Sequence, residues 1–278
     1  MSEPKVVSLA QGTEPGPLDI AQITQGLGAN RLATTIHYFP EIASTNSYAK
    51  ERAESGAGEG ELVVAESQSH GRGRLGRRWE SPPFANLYVS IVLRPKLAPA
   101  HVAQITLMAA VALAEVVEGF VPQKPAIKWP NDILIGGKKL AGILSEAACS
   151  AERVEYVILG IGVNLNYACS AMPEELRRRA TSVLEAAGRP VQRESFLQRL
   201  IQGIERCYGE LEQAGFDAMA ARWESYFAWR GRRVRVELLD QVTTGTATGI
   251  DRDGALVIVD DRGAPQRILA GDVILAEN

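Results

Sequence analysis

The sequence predicts a large α/β domain followed by a small all-β domain, and three observations carry that expectation. Strand-like apolar runs alternate with longer helical patterns through most of the chain. At Gly231 the texture changes to short β-branched runs separated by Asp-Gly, Arg-Gly and Ala-Gly turns, which suit a small barrel and are too short for a sandwich. A length of 278 residues accommodates one large domain with ample core plus a small one. The expected division is a flexible tail with a short helix over 1–29, the large domain over 30–229 and the barrel over 230–278.

Each element has a local reason. Residues 1–17 are polar and broken by Pro and Gly, which predicts a disordered tail. LDIAQITQGL (18–27) reads as a short amphipathic helix and TTIHYFP (34–40) as a strand. EIASTNSYAKERAESGAGEG offers Ser44, Thr45 and Asn46 as N-cap residues, and the glycines from Gly56 onward stop the helix that follows. ELVVAESQ (61–68) is a strand that leads into an arginine-rich loop. In LYVSIVLRP, Leu87, Val89, Ile91 and Leu93 share one face, the period of a half-buried strand. PAHVAQITLMAAVALAEVVEGF is a long, largely buried helix. AIKWP, DILI and KKLAGILSEA are strands, the last two joined as a hairpin through Gly136-Gly137. YVILGIGVNLN (156–166) is a further strand, and Pro173 to about Phe227 is helical.

Composition excludes several function classes. The 30 basic and 33 acidic side chains leave a net charge of −3, so no global field draws the protein to nucleic acid. Cys149, Cys169 and Cys207 are too scattered for a disulfide framework or a zinc site, and His37, His70 and His101 do not complete a cage. The start lacks the apolar core of a signal peptide, and no run of about twenty apolar residues reads as a membrane span. The expectation is a soluble, cytoplasmic protein.

Against this mildly acidic background, HGRGRLGRRWES (70–81) sets Arg72, Arg74, Arg77 and Arg78 among Gly71, Gly73 and Gly76. GRGRLG matches the dinucleotide pattern G-x-G-x-x-G, but that pattern must open a helix, and Ser81-Pro82-Pro83 followed by a strand forbids one. No kinase catalytic motifs follow, and Gly136-Gly137-Lys138-Lys139 lacks P-loop spacing. Asp251-Arg252-Asp253-Gly254 lacks the later ligands of a calcium loop and reads as a hairpin turn. A charge run is often only a solvated surface. Interleaved glycines argue otherwise, because glycine lets backbone amides approach an anion and arginine adds a fork for carboxylate or phosphate oxygens. The segment reads as a clamp for a small anionic ligand. Without that ligand, its like charges and high-entropy glycines predict mobility.

Two further segments carry polar residues in apolar surroundings. KWPNDILIGGKKLAGILSE places Lys128, Asn131 and Asp132 beside a Trp-Pro turn and returns Lys139 along a hairpin. A lysine in that position can simply snorkel to solvent. GIGVNLN places Asn164 and Asn166 in an apolar strand, where Asn either caps a backbone group or lines a site.

Taken in series, STN (44–46), ESQSHGRGRLGRRWESP (66–82), NLYVSIVLRP (86–95), KWPNDI (128–133), KKLAGILSE (138–146) and GIGVNLN (160–166) resemble the biotin protein ligase family. Order and spacing hold over about 240 residues, from residue 36 through the C-terminal barrel. The resemblance implies a mixed α/β sheet akin to class II aminoacyl-tRNA synthetases, followed by an SH3-like barrel. It implies that biotin and MgATP give biotinyl-5′-adenylate and pyrophosphate, and that a lysine of a biotin carboxyl carrier domain then takes the biotinyl group. No prosthetic group is implied. By the family's pattern, Ser44, Thr45, Asn46 and Gln68 would bond the biotin ureido ring. Arg72, Gly73, Arg74 and Lys139 would meet the biotin carboxyl end and the adenylate phosphate. Arg77, Trp79, Lys128, Asn131, Asp132 and Asn164 would line the nucleotide side, with Asp132 near the magnesium or the incoming lysine. Electrostatics agrees: a carboxylate approaching ATP meets about 4 kcal/mol of repulsion per like-charge contact at ~4 Å and an effective dielectric of ~20, so several cations must converge.

Relatives that also repress transcription carry an N-terminal helix-turn-helix domain, for which the stretch before the core is too short here. The expectation is therefore a monofunctional enzyme that binds neither DNA nor membrane. Lipoate–protein ligase shares fold and reaction type, but the GRGRxGR-W and KWPND series favours biotin. Oligomeric state is left open, a homodimer included.

Overall fold

The computed structural model describes residues 16–238 and 241–276, so most of the predicted tail, residues 1–15, lies outside the described residues. The helix that follows, α1 (Ile20–Leu27), is capped by Asp19, whose side chain accepts from the Gln22 amide. The large domain continues with β1 (Thr35–Phe39), α2 (Thr45–Glu54), β2 (Glu61–Ala65), β3 (Leu87–Leu93) and α3 (Ala103–Glu118). β4 (Ala126–Lys128), β5 (Asp132–Ile135), β6 (Lys138–Cys149) and β7 (Val154–Val163) complete its sheet. Four helices follow: α4 (Glu174–Arg177), α5 (Val183–Ala187), α6 (Arg193–Ala214) and α7 (Asp217–Tyr226). The small domain holds β8 (Arg233–Leu238), β9 (Gln241–Ile250), β10 (Leu256–Val259), β11 (Pro265–Ile268) and β12 (Asp272–Leu275).

The large sheet is mixed, with order β1-β2-β3-β7-β6-β5-β4. Only β1 and β2 run parallel, because α2 carries the chain back between them; hairpins and longer returns make the rest antiparallel. The β5–β6 hairpin turns on Gly136 and Gly137, at φ 58° and 79°, the left-handed pair that a two-residue turn requires. The small sheet is antiparallel, with order β11-β10-β9-β8-β12.

Strand alternation sends Leu62, Val64, Leu87, Val89, Ile91 and Leu93 to the main core, with α3 and α6. Val63, Val92 and Ile158 face the other way and pack on Ala49 and Ala53 of α2. β3 is therefore buried on both faces rather than half-buried, since α2 covers the face that strand period alone leaves open. The core also absorbs α1, whose Ile23 and Leu27 are buried in it. One helical stretch, Pro99–Glu118, is long and apolar enough to cross a membrane by length and composition, which corrects the reading that no such run exists. Its Leu107, Met108, Val111 and Leu113 are buried in the core. β7 ends at Val163, so Asn164 and Asn166 lie beyond the strand and not within it.

The same core crosses into the small domain, with Val234, Val236, Leu256, Ile258 and Val273 in one cluster with the α3 side chains. At the seam, Trp129 Nε1 donates to the Gly254 carbonyl at 3.1 Å and Gln104 Nε2 to the Arg252 carbonyl at 2.8 Å. Gly254 sits at φ 86°, and a Cβ there would lie 2.7 Å from Leu107 Cδ1. Only glycine meets both demands.

Candidate active site

The floor of the site is bare backbone. Gly142 pairs with Gly162, and Gly160 pairs with Ser90 and Leu144, where the sheet faces α2. A Cβ on Gly160 would stand 1.9 Å from Asn46 Oδ1, and one on Gly162 would stand 2.5 Å from the Trp79 ring. Glycine at these positions lets both side chains lie directly on the strands.

One end of the site grows from the start of α2. Ser44 caps the helix, its Oγ accepting from the Ser47 amide at 3.4 Å, and this fixes how the first turn meets the sheet. Thr45 then donates to Gln68 Oε1 from its amide at 2.9 Å and from its hydroxyl at 3.2 Å. Ser90 Oγ lies 2.8 Å from Thr45 Oγ1 and 2.7 Å from Asn46 Oδ1. Asn46 Nδ2 donates to the Leu144 carbonyl at 3.2 Å and to Glu146 Oε2 at 3.0 Å. Gln68 Nε2 donates to Ser81 Oγ at 3.1 Å. Ser44, Thr45 and Asn46 are only 3, 4 and 5% exposed, so these bonds are held away from water.

The other end is the arginine loop. It folds back on itself through Gly73 N–H to the Arg77 carbonyl at 2.7 Å and Trp79 N–H to the Gly71 carbonyl at 2.9 Å. Arg72 and Arg78 form an antiparallel bridge, and Arg74–Gly76 between them makes one tight turn with Leu75 left-handed at φ 54°, so no dinucleotide-binding helix opens there. Three of the four guanidinia find a partner on another segment, and Arg78 returns to the start of its own loop. Arg72 holds Glu146 with two bonds of 3.0 and 2.9 Å, and Arg74 Nη1 donates to Asn131 Oδ1 at 3.2 Å. Arg77 pairs with Asp272 of β12, and Arg78 donates to the Ser69 carbonyl at 3.1 Å. The repulsion read from the sequence is thus offset by anions that β6 and β12 bring from far along the chain.

Two lysines converge on the same space. Lys139 Nζ stands 2.6 Å from Asp132 Oδ1, at an angle that makes an ion pair rather than an aligned hydrogen bond, and 5.3 Å from the Trp79 ring centre. Lys128 Nζ lies 3.4 Å from Asp272 Oδ1 and 5.4 Å from the Trp229 ring centre. Both turn toward carboxylates and indoles instead of snorkelling. Burial pushes the Arg74 guanidinium below its usual range, and the charges of Asp132 and Asp272 only partly offset it. A hydrogen bond to Asp272 raises Arg77. Burial pushes the Asp272 carboxyl up, but Arg77 and Lys128 outweigh it and hold it below the usual carboxylate range.

These groups line one cavity of about 960 Å³, and it contains every residue that the family resemblance assigned to the site. Ser44, Thr45, Asn46 and Gln68 stand at the neutral end. Arg72, Gly73, Arg74, Arg77, Trp79, Lys128, Asn131, Asp132, Lys139 and Asn164 form the rest of the wall. Asn164 also does structural duty, since its Nδ2 donates to the Thr181 carbonyl at 3.0 Å. Asn166 is wholly a backbone cap, exchanging two 2.9 Å bonds with Val191. Sequence reading missed Ser90, Glu146 and Asp272. It also missed Met172, Leu176, Arg179 and Trp229, which the helical region and the seam add to the wall. Glu146 closes the KKLAGILSE segment and was the one of these within reach, had its charge been matched to the arginines. Among the described residues no group of three or more His, Cys, Asp or Glu side chains could hold a metal ion.

Comparison with known proteins bears on this geometry. Residues 38–164 match the biotin/lipoate A/B protein ligase family, and residues 231–276 match the biotin protein ligase C-terminal domain. The bifunctional ligase/repressor BirA of Bacillus subtilis (strain 168) is 37% identical over 262 residues, covering 94% of this chain and 80% of the relative. The biotin–[acetyl-CoA-carboxylase] ligase of Mycobacterium tuberculosis is 34% identical over 265 residues, covering 93% and 96%. The biotin protein ligase from Aquifex aeolicus, solved in complex with biotin and ATP, superposes with a TM-score of 0.75 at 28% identity, covering 88% of this chain and 100% of that one. The chain belongs to the biotin protein ligase family.

Proposed function

We infer that this cavity carries both half-reactions of an ATP-dependent biotin protein ligase, and we assign its residues accordingly. The observation that supports the reading best is the junction, in one cavity, of a neutral hydrogen-bonding end with a cluster of cations. A ureido ring offers N–H donors and a carbonyl acceptor, which the Ser44, Thr45, Asn46 and Gln68 end can match. The dithiolane of lipoate offers no such groups, so the polar end would be left unpaired.

In the first step a biotin carboxylate oxygen attacks the α-phosphorus of ATP and pyrophosphate leaves. Arg72, Arg74 and Lys139 offset the repulsion between carboxylate and phosphate, while the Gly73 backbone permits close approach. Trp79, Lys128, Asn131, Asn164 and Arg77 form the nucleotide side. Magnesium, when bound, would neutralise phosphate charge, and Asp132 would stand near it or near the incoming lysine. In the second step the amine of an acceptor lysine attacks the carbonyl of the mixed anhydride, AMP leaves and the nitrogen loses a proton. That amine has a reference pKa near 10.4 (about that of free lysine), so a neighbouring base helps, and Asp132 stands beside the reacting end. The acceptor is a biotin carboxyl carrier domain in the cytoplasm.

Biotin-dependent exchange of labelled pyrophosphate into ATP tests the first step, and transfer of labelled biotin to a purified carrier domain tests the second. Equal exchange with lipoate, or none with biotin, defeats the assignment. Repression is not carried over to this chain; gel shifts with the biotin operon's control region at physiological salt, with saturating biotin and ATP, should show no specific complex.

A further inference from the structure

We propose that Glu146 is a positioning residue that orients the Asn46 amide toward biotin and anchors Arg72 beside it. The inference rests on the ligase reading above. Glu146 lies on the second half of β6, opposite Ile158 of β7. Its two oxygens take three bonds: Oε1 from Arg72 Nη2 at 2.9 Å, and Oε2 from Arg72 Nη1 and Asn46 Nδ2, each at 3.0 Å.

A count of donors and acceptors at Asn46 shows what this accomplishes. Both Nδ2 protons are committed, one to Glu146 and one to the Leu144 carbonyl, while Oδ1 takes the Ser90 hydroxyl and keeps one lone pair. Asn46 can therefore only accept a further bond, so it suits a ureido N–H and not the ureido carbonyl. Turning the amide over would set its oxygen against two acceptors, one of them a full negative charge. Glu146 thus selects the orientation that recognises biotin. Through its other contact it holds the first arginine of the loop, so the neutral end and the cationic loop share one carboxylate.

Glu146→Ala and Glu146→Gln separate the two contacts. Alanine removes both. Glutamine keeps an oxygen for Asn46 but turns a nitrogen toward Arg72, donor against donor. By calorimetry, Glu146→Ala should weaken biotin binding about tenfold or more, and Glu146→Gln should recover most of that loss. Both variants should speed tryptic cleavage after Arg72, alanine more than glutamine, because alanine frees the guanidinium and glutamine keeps only the bond from Nη1. A merely structural carboxylate would lower thermal stability without separating the two variants in biotin affinity. Glutamine as damaging as alanine, or alanine without effect on biotin, overturns the proposal. A wild-type protein that binds no biotin overturns the ligase reading itself, and this inference falls with it.

Discussion

The two ends of the cavity are held together on opposite terms. The side chains of the α2 end are uncharged and buried, locked by hydrogen bonds to Gln68, β3 and β6. The arginine loop is exposed and held by ion pairs, with the Arg72 side chain 45% and Arg77 64% accessible. Bonds of the first kind are buried and little screened by salt. Pairs of the second kind contribute about 0–1 kcal/mol each and are screened by salt. One end is shaped before the ligand arrives, whereas the other is assembled from contacts that a phosphate can replace.

The largest expected effect breaks the preformed end. Gly160→Val drives a side chain into the space of Asn46 and should reduce biotin affinity about a hundredfold, near the ~3 kcal/mol upper range for overpacking. Calorimetry checks this, and a loss under about tenfold would mean that the end yields rather than stands fixed. Next, Lys139→Ala removes a charge at the reacting carboxylate and should weaken biotin and adenylate by about 1.5–3 kcal/mol. Unchanged affinity for both would return Lys139 to a role at the surface.

Smaller effects belong to the loop. Trypsin should nick the ligand-free protein between Arg72 and Arg78, and biotin with MgATP should slow that cleavage strongly. Raising salt should speed cleavage of the ligand-free loop, because its exposed pairs are screened; a cleavage rate independent of salt would erase the contrast. Arg74→Gly should still form adenylate but release it faster in a filter-binding chase.

The smallest effect is acid loosening. Asp272 has a folded pKa below its unfolded value, so its stabilising contribution is present above the ordinary aspartate range and is lost as pH falls through the folded value. The loop should stay tethered from about pH 5 upward and loosen below about pH 4. Asp272→Asn should remove that acid step. Hydrogen exchange over residues 70–80, compared between the two proteins at each pH, reads it directly.

The residues of the site were legible in the sequence because they sit in short local segments whose chemistry is unusual: arginines among glycines, and a Ser-Thr-Asn cap. Their partners were not. Glu146 and Asp272 reach the loop only after β6 and β12 are placed, and strand period says nothing about which strands become neighbours. The mobility expected of the loop was inferred from its own charges alone, and so omitted these counter-charges. The elements themselves followed from period and turn chemistry, but the second buried face of β3 required α2 to be docked. Likewise the partner of the Asn164 side chain, the Thr181 carbonyl, is one that no local pattern reveals.

The seam at Gly254 bears on how such enzymes can be rebuilt. A chain trimmed to its large domain would strip cover from Leu107, orphan the indole of Trp129 and take the counter-ion from Arg77. The small domain is a buttress, not an appendage. Chimaeras that exchange it between relatives should therefore carry the matched residues at 77, 104, 107, 129, 254 and 272 as a single cassette.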